Sequence, residues 1–199
     1  MRSFHEYKGV ETSGAVVSGL VQAFGTFKAL ASQLLLAEGI GQKGPDGLVV
    51  VELEGWYPFD AYMRAFERVS QQMNESVLHQ VGVSVFKIAQ ESLPPMKDMK
   101  TFARILDQAY HLNHRKNGRV MWDAATGKAQ EGIGHYRYRE RPDGTLEIEA
   151  DIPYPCAFDK GILLSGMRTV HAVGAILHDE SHPCRKRGQK SCVYVIKTS

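Results

Sequence analysis

Excess charge of either sign is missing from this chain. Its 24 Lys and Arg stand against 22 Asp and Glu, a formal net charge of +2, so there is no electrostatic case for a nucleic-acid partner. Long apolar runs are missing as well. No stretch is long enough to span a membrane, and the opening Met1-Arg2-Ser3-Phe4-His5-Glu6 has no signal-peptide core. A cytoplasmic protein is expected on that basis, with its thiols kept reduced and open to metal. There is no Gly-rich phosphate loop, no Gly-x-Ser-x-Gly nucleophile elbow and no pair of acids placed as general acid and base. The expectation is therefore a protein that is not an enzyme. Internal repeats, low-complexity tracts and an interdomain linker are also lacking, and cysteine is scarce, at three residues.

What is present suits an ordinary globular chain of 199 residues, 43% hydrophobic and 23% charged, with enough apolar material for a sizeable core. We read residues 1–45 as a helical extension and candidate homodimerisation element, and residues 46–199 as a ligand-binding domain with metal in its C-terminal part. Residues 1–13 look polar and loosely held. From Ser13, a capping residue, to Leu36 the apolar spacing predicts one or two helices. Their apolar residues run around much of the circumference, so either a second subunit or the body of the same domain must cover them. Phe59, Tyr62, Met63, Phe66, Val69, Met73, Val77 and Val81 share one helical face and predict a long scaffold helix. A further helix, capped by Asp98, carries Met99, Phe102, Ile105, Leu106 and Tyr110, with His111 and His114 closing it. Those two histidines fit either a metal pair or cations at a helix C-terminus.

Strands dominate the rest. Residues 132–140 and 145–152 alternate, and Pro142-Asp143-Gly144 supplies a hairpin turn between them. In His135-Tyr136-Arg137-Tyr138-Arg139 the tyrosines share one face, and the basic face reads as solvated. A helix from Asp159 to His171, a strand from Ala172 to His178 and a terminal strand through Val193 to Ile196 complete the order. Helices first and an antiparallel sheet of about four or five strands afterwards make the class α+β.

The cysteines fall at the end of this order. Cys184 and Cys192 bracket a Gly-containing loop between the last two strands, which brings their sulfurs together. Cys156 follows Pro153-Tyr154-Pro155 at a helix start. Three thiolates and one further ligand make a closed zinc site, and the competing reading is three buried small hydrophobes. The run His178-Asp179-Glu180-Ser181-His182 supplies the fourth ligand. His178 ranks first because a strand end restrains its ring, and His182, Asp179 and Glu180 remain open.

Tyr154-Pro155-Cys156, a helix, a strand, and then Pro183-Cys184-Arg185-Lys186-x-Gly188-x-x-Ser191-Cys192-x-Tyr194-x-Ile196 resemble the end of the 4-vinyl reductase domain, over about residues 145–199. That family is grouped with haem-NO-binding-like and TRAPP-like folds and includes sensor domains of phenol-responsive bacterial activators. In those sensors three cysteines and one acid bind a structural zinc, which carries over to Cys156, Cys184 and Cys192. Where the acid is expected, this chain has Ser181.

The resemblance implies a sensor or regulatory domain holding a small apolar or aromatic molecule between helices and sheet. By residue type, Phe66, Phe102, Tyr110, Trp122 and Tyr136 are the candidates to line such a pocket, with His111 offering a hydrogen bond. Core packing is the competing role for each. The signal would pass through a homodimer or a separate signalling protein. Other readings differ in class. A haem-binding gas sensor would take His79, His111, His114 or His135 as its axial ligand, and a TRAPP-like assembly module would show a tight dimer without a cavity. A reductase lacks a nicotinamide or flavin motif to work with. The basic loop Arg185-Lys186-Arg187, with Tyr194 as its one nearby aromatic, is too little for a nucleic-acid knuckle.

Overall fold

Ser13 closes a strand and opens a helix. In the computed structural model, which describes residues 4–179, 181–182 and 184–198, it ends β1 (Val10–Ser13), and its hydroxyl accepts the Val16 N–H at 3.3 Å to cap α1 (Gly14–Ala23). The chain turns at Gly25, whose φ is +56°, into α2 (Lys28–Ala37). A short hairpin of β2 (Gln42–Lys43) and β3 (Val49–Val50) follows, then β4 (Trp56–Pro58) and α3 (Phe59–Ser70). The same compact unit includes β5 (His114–Lys116), β6 (Arg119–Val120) and the pair β7 (Trp122–Asp123) and β8 (Lys128–Ala129). This first unit is Met1–Asn74 with His111–Gly132. Its four-stranded antiparallel sheet has the order β4-β1-β5-β6.

The first unit departs from expectation in three places. Residues 4–13 are not loose, and residues 1–3 lie outside the described residues. Phe4, Tyr7 and Val10 are buried, the Tyr7 ring meets Phe59 edge-on at 5.2 Å, and β1 is an inner strand of the sheet. Three apolar residues at a spacing of three, carried by a 3-10 turn at His5–Tyr7, suffice to anchor them. The long scaffold helix also stops early, at Ser70. Its last bonds tighten from i→i+4 to i→i+3 at Gln72 and Met73, and the Ser70 hydroxyl donates to the Glu67 carbonyl, so the ladder runs out before Asn74, a poor helix-interior residue. His114, finally, lies in a strand, where its ring sits edge-on to Phe59 at 4.4 Å. The apolar side of α1 is met within the same unit, with Phe24 packing on Phe66 at 5.9 Å.

The second unit is Glu75–Tyr110 with Ile133–Ser199. It contains α4 (Glu75–Ala89), most of α5 (Met99–Leu112), β9 (Tyr136–Glu140), β10 (Leu146–Ala150), α6 (Cys156–Thr169), β11 (Gly174–His178) and β12 (Cys192–Thr198). The sheet is antiparallel, in the order β11-β12-β10-β9. The turn at Pro142-Asp143-Gly144 forms as expected. Gly144 has φ +79°, and the Asp143 carboxylate accepts the Thr145 N–H at 3.0 Å.

Residues 192–196 of β12 are buried in succession, as an inner strand covered on both faces requires. The basic face of β9 is solvated as expected, with Arg137 and Arg139 both exposed, and each also carries an ion pair: Arg137 with Asp151 at 2.8 Å and Arg139 with the buried Glu147 at 2.6 Å. α4 and α6 meet backbone to backbone, with Gly82 under the Phe158 carbonyl and Gly161 under the His79 carbonyl.

Candidate metal centre

Three elements bring the cysteines together. Cys156 is the first residue of α6, behind Pro155 in an extended conformation, so its sulfur sits at the positive end of a helix. Cys192 opens β12. Cys184 precedes a 3-10 turn at Arg185–Arg187, and its carbonyl accepts the N–H groups of Arg187 at 2.9 Å and Gln189 at 3.2 Å. Gly188, with φ +76°, turns the loop back in a conformation that suits glycine. Cys156 Sγ lies 3.0 Å from Cys192 Sγ and 3.6 Å from Cys184 Sγ, and the remaining sulfur pair is 3.9 Å apart. All three are free thiols and all are buried.

His178 completes the group. It ends β11 opposite Tyr194 of β12, and its ring stacks on the Tyr194 ring at 5.2 Å. One ligand atom from each of Cys156, His178, Cys184 and Cys192 lies within 4.8 Å of all the others. The Nε2 atom of His178 is buried without a hydrogen-bond partner. A tetrahedral zinc with bonds of about 2.3 Å to sulfur and about 2.0 Å to nitrogen takes donors at this mutual separation.

The other fourth-ligand candidates are placed differently. The Asp179 carboxylate accepts from Ser181 at 2.6 Å and pairs with His182 at 3.1 Å, and those bonds hold it down at about 2. Glu180 lies outside the described residues.

A second layer of polar groups backs the sulfurs. Arg185 donates to Cys192 Sγ from its backbone N–H at 3.4 Å and from Nε at 3.3 Å. Its guanidinium also reaches the Ile152 carbonyl at 2.5 Å and pairs with Asp159, which is fully buried. The Asp159 carboxylate accepts from the hydroxyls of Tyr136 at 3.2 Å and Tyr194 at 3.3 Å. Burial pushes the Asp159 carboxyl up to about 6, against the pull of Arg185. The hydrogen bond from Cys156, reinforced by Arg185, lowers the Cys192 thiol from its usual range. The same pairing and burial push Cys156 up. Four protein donors leave no open position for water or substrate.

No protein-family model matches the chain, and no curated protein sequence does. Solved structures do match. An H-NOX protein from S. oneidensis in the Fe(II)NO ligation state aligns over 93% of this chain and 98% of its own, with a TM-score of 0.60 and 14% identity. An oxygen-binding H-NOX domain related to soluble guanylate cyclases, in its oxygen complex, aligns over 94% and 95%, with a TM-score of 0.60 and 18% identity. A mutant H-NOX of T. tengcongensis aligns over 94% and 97%, with a TM-score of 0.60 and 15% identity. The fold is that of the H-NOX domains.

Within this H-NOX fold the six candidate pocket residues fall in both units. In the first, Phe66 is buried among Phe24 and Tyr62, Trp122 is half-buried in β7, and His111 is fully buried in the last turn of α5. In the second, Phe102 packs edge-on to Phe86 at 5.2 Å, beneath Gly166. Tyr110 donates to the Ile133 carbonyl at 2.9 Å and stands edge-on to Tyr136 at 6.0 Å. Two clefts are described, both in the second unit, and none of the six lines either one.

Arg185 and Asp159 are the site residues that sequence reasoning missed. Arg185 stands beside Lys186 and Arg187 in what reads as a solvated basic loop, yet its side chain is 5% exposed, while Lys186 is 48% exposed and pairs with Glu75. Its place next to Cys184 was the one signal available.

Proposed function

We propose that this chain is a sensor domain of the H-NOX fold, not an enzyme, whose second unit is fastened by a structural zinc. The observation that carries the zinc is the convergence of Cys156, His178, Cys184 and Cys192 around one point, with a buried imidazole nitrogen otherwise unbonded. A closed four-donor site stabilises a fold rather than turning over substrate. It ties the loop after β11 to the start of α6, as the resemblance to the 4-vinyl reductase domain also implies. Native mass spectrometry of protein purified without added metal is expected to show one zinc per chain.

The sensing role rests on likeness to proteins described in Fe(II)NO and oxygen-bound states, which makes haem the first ligand to test. A buried imidazole would have the right chemistry to hold a haem iron. Of the four sequence candidates, His79 is only partly buried, His114 is packed edge-on against Phe59 and His135 leans on Asp107 at 3.3 Å. His111, fully buried at the end of α5, is the residue we assign. Haem supplies reversible binding of a diatomic gas, and the chain's part is to hold one imidazole in a dry setting. Titrating haem into the purified chain is expected to give a one-to-one Soret band, lost in His111→Gly and restored by added imidazole. No band at stoichiometric haem ends that reading.

A second ligand reading has its own support. A cleft of about 610 Å³ in the second unit is lined by Val83, Leu93, Pro94, Pro95 and Met96 and, in equal number, by the polar Lys87, Gln90, Ser165, Arg168 and Thr169, a size and lining that suit a small amphipathic molecule with an acidic group. A retained organic mass in the native spectrum would favour it over haem.

A further inference from the structure

Arg185 is an unusual residue to find inside a protein. Its guanidinium is almost wholly buried, and its five N–H donors plus the backbone N–H serve four partners: Cys192 Sγ, the Ile152 carbonyl, Asp159 and, at 3.4 Å, the Tyr194 hydroxyl. A buried arginine is costly unless its charge is met; the Asp159 carboxylate meets it directly, and the Cys192 sulfur accepts two further N–H groups. Three thiolates, one neutral imidazole and a divalent ion leave a net charge of −1, buried with the site. A guanidinium beside the sulfurs meets that charge locally, at Cys192, although with the Asp159 carboxylate counted the buried group still sums to −1. Asp159 in turn holds the guanidinium, and is itself held by the hydroxyls of Tyr136 and Tyr194. This is the outer arrangement that fixes a metal ligand's direction and electron density.

We propose that Arg185 is a positioning residue of the metal centre, donating two N–H···S bonds that orient the Cys192 thiolate and draw electron density from it, with Asp159 aiming the guanidinium. The proposal rests on the zinc reading of the site. Lys186 and Arg187 of the same loop take no part: one pairs with Glu75 and the other donates to the His182 carbonyl at 2.7 Å.

The test uses the full chain, loaded with zinc for affinity and with cobalt(II) for its sulfur-to-metal charge-transfer band. Arg185→Met is expected to weaken zinc binding about 10–100-fold in a chelator competition. It should also move the cobalt band to lower energy, because a thiolate that has lost a donor gives up an electron more readily. Arg187→Met, which removes the same charge from the same loop, should leave both readings at the parent's values. Arg185→Met leaves the Asp159 carboxylate buried alone, so Arg185→Met/Asp159→Asn is the companion variant, removing both charges together. A band shift with weakened zinc in either folded variant supports the role. Parent-like affinity and an unmoved band in the folded variants overturn it. A parent that takes up neither zinc nor cobalt overturns the metal reading itself, a result distinct from the previous one.

Discussion

Cys192→Ala is expected to release the metal and to lower the stability of the chain by several kcal/mol. The change removes one sulfur and opens little space; truncating a far larger Leu or Ile to Ala in a core costs about 2–5 kcal/mol. Cavity formation alone therefore predicts a small effect here. Loss of a structural zinc predicts a large one, because binding free energy in such a site is folding free energy, on the order of 10 kcal/mol in small zinc domains at neutral pH. The sulfur is also the acceptor for two Arg185 N–H groups, and stranding those donors adds to the loss. A chelator separates the two contributions. Thermal melting of the parent should fall toward that of Cys192→Ala when the chelator is added, and the variant's own melt should not respond. A variant that melts like the parent, or a parent melt indifferent to chelator, removes the metal from the account of this fold.

How much of this was legible in the sequence depends on the kind of signal. The convergence of the cysteines was legible because thiols are few and a turn between two strands is easy to see, and that of His178 because a strand end restrains a ring. The hairpin at Pro142-Asp143-Gly144 and the α+β class were legible for the same local reasons, whereas the expected order of helices first and strands afterwards fails, because the first unit builds a four-stranded sheet of its own from β1, β4, β5 and β6.

Arg185 was not. Three adjacent basic residues look alike until the fold buries one of them, and only the packing of α6 beside the loop decides which. Nor was the inner place of β1. Its strand partners, β4 and β5, come from around residues 57 and 115, far along the chain. The break after Ser70 was hidden because the apolar spacing of α3 continues through Met73 and Val77 although the backbone does not. The aromatic candidates show the opposite limit. Periodicity says that Phe66 and Phe102 are buried, which they are, but a ring against another ring and a ring against a ligand leave the same mark on a sequence. Likeness to the H-NOX domains, at 14–18% identity, was beyond reach outside the last third of the chain.

The other large effect is expected at the crossing of α4 and α6. A Cβ built on Gly82 would lie 2.0 Å from the Phe158 carbonyl oxygen, and one built on Gly161 would lie 2.0 Å from the His79 carbonyl oxygen. The obstacle in both cases is backbone, so no side chain can swing aside, and the helices must separate. Intrinsic propensity argues the other way, since alanine in a helix interior is favoured over glycine by about 1 kcal/mol. Sterics should win: forcing even a methyl group into a packed contact costs about 1–3 kcal/mol, and more where rigid groups must move.

Gly161→Ala is thus expected to lower the urea midpoint by a net loss of about 2 kcal/mol or more, while Gln80→Ala, exposed on α4, should stay within about 0.5 kcal/mol of the parent. Gly82→Ala/Gly161→Ala should cost less than the sum of its parts, because one separation of the helices accommodates both methyl groups. α6 begins at Cys156 and carries Asp159, so displacing it should also loosen zinc. A Gly161→Ala chain that is more stable than the parent would mean that the two helices do not approach this closely, and that the start of α6 is not held by α4.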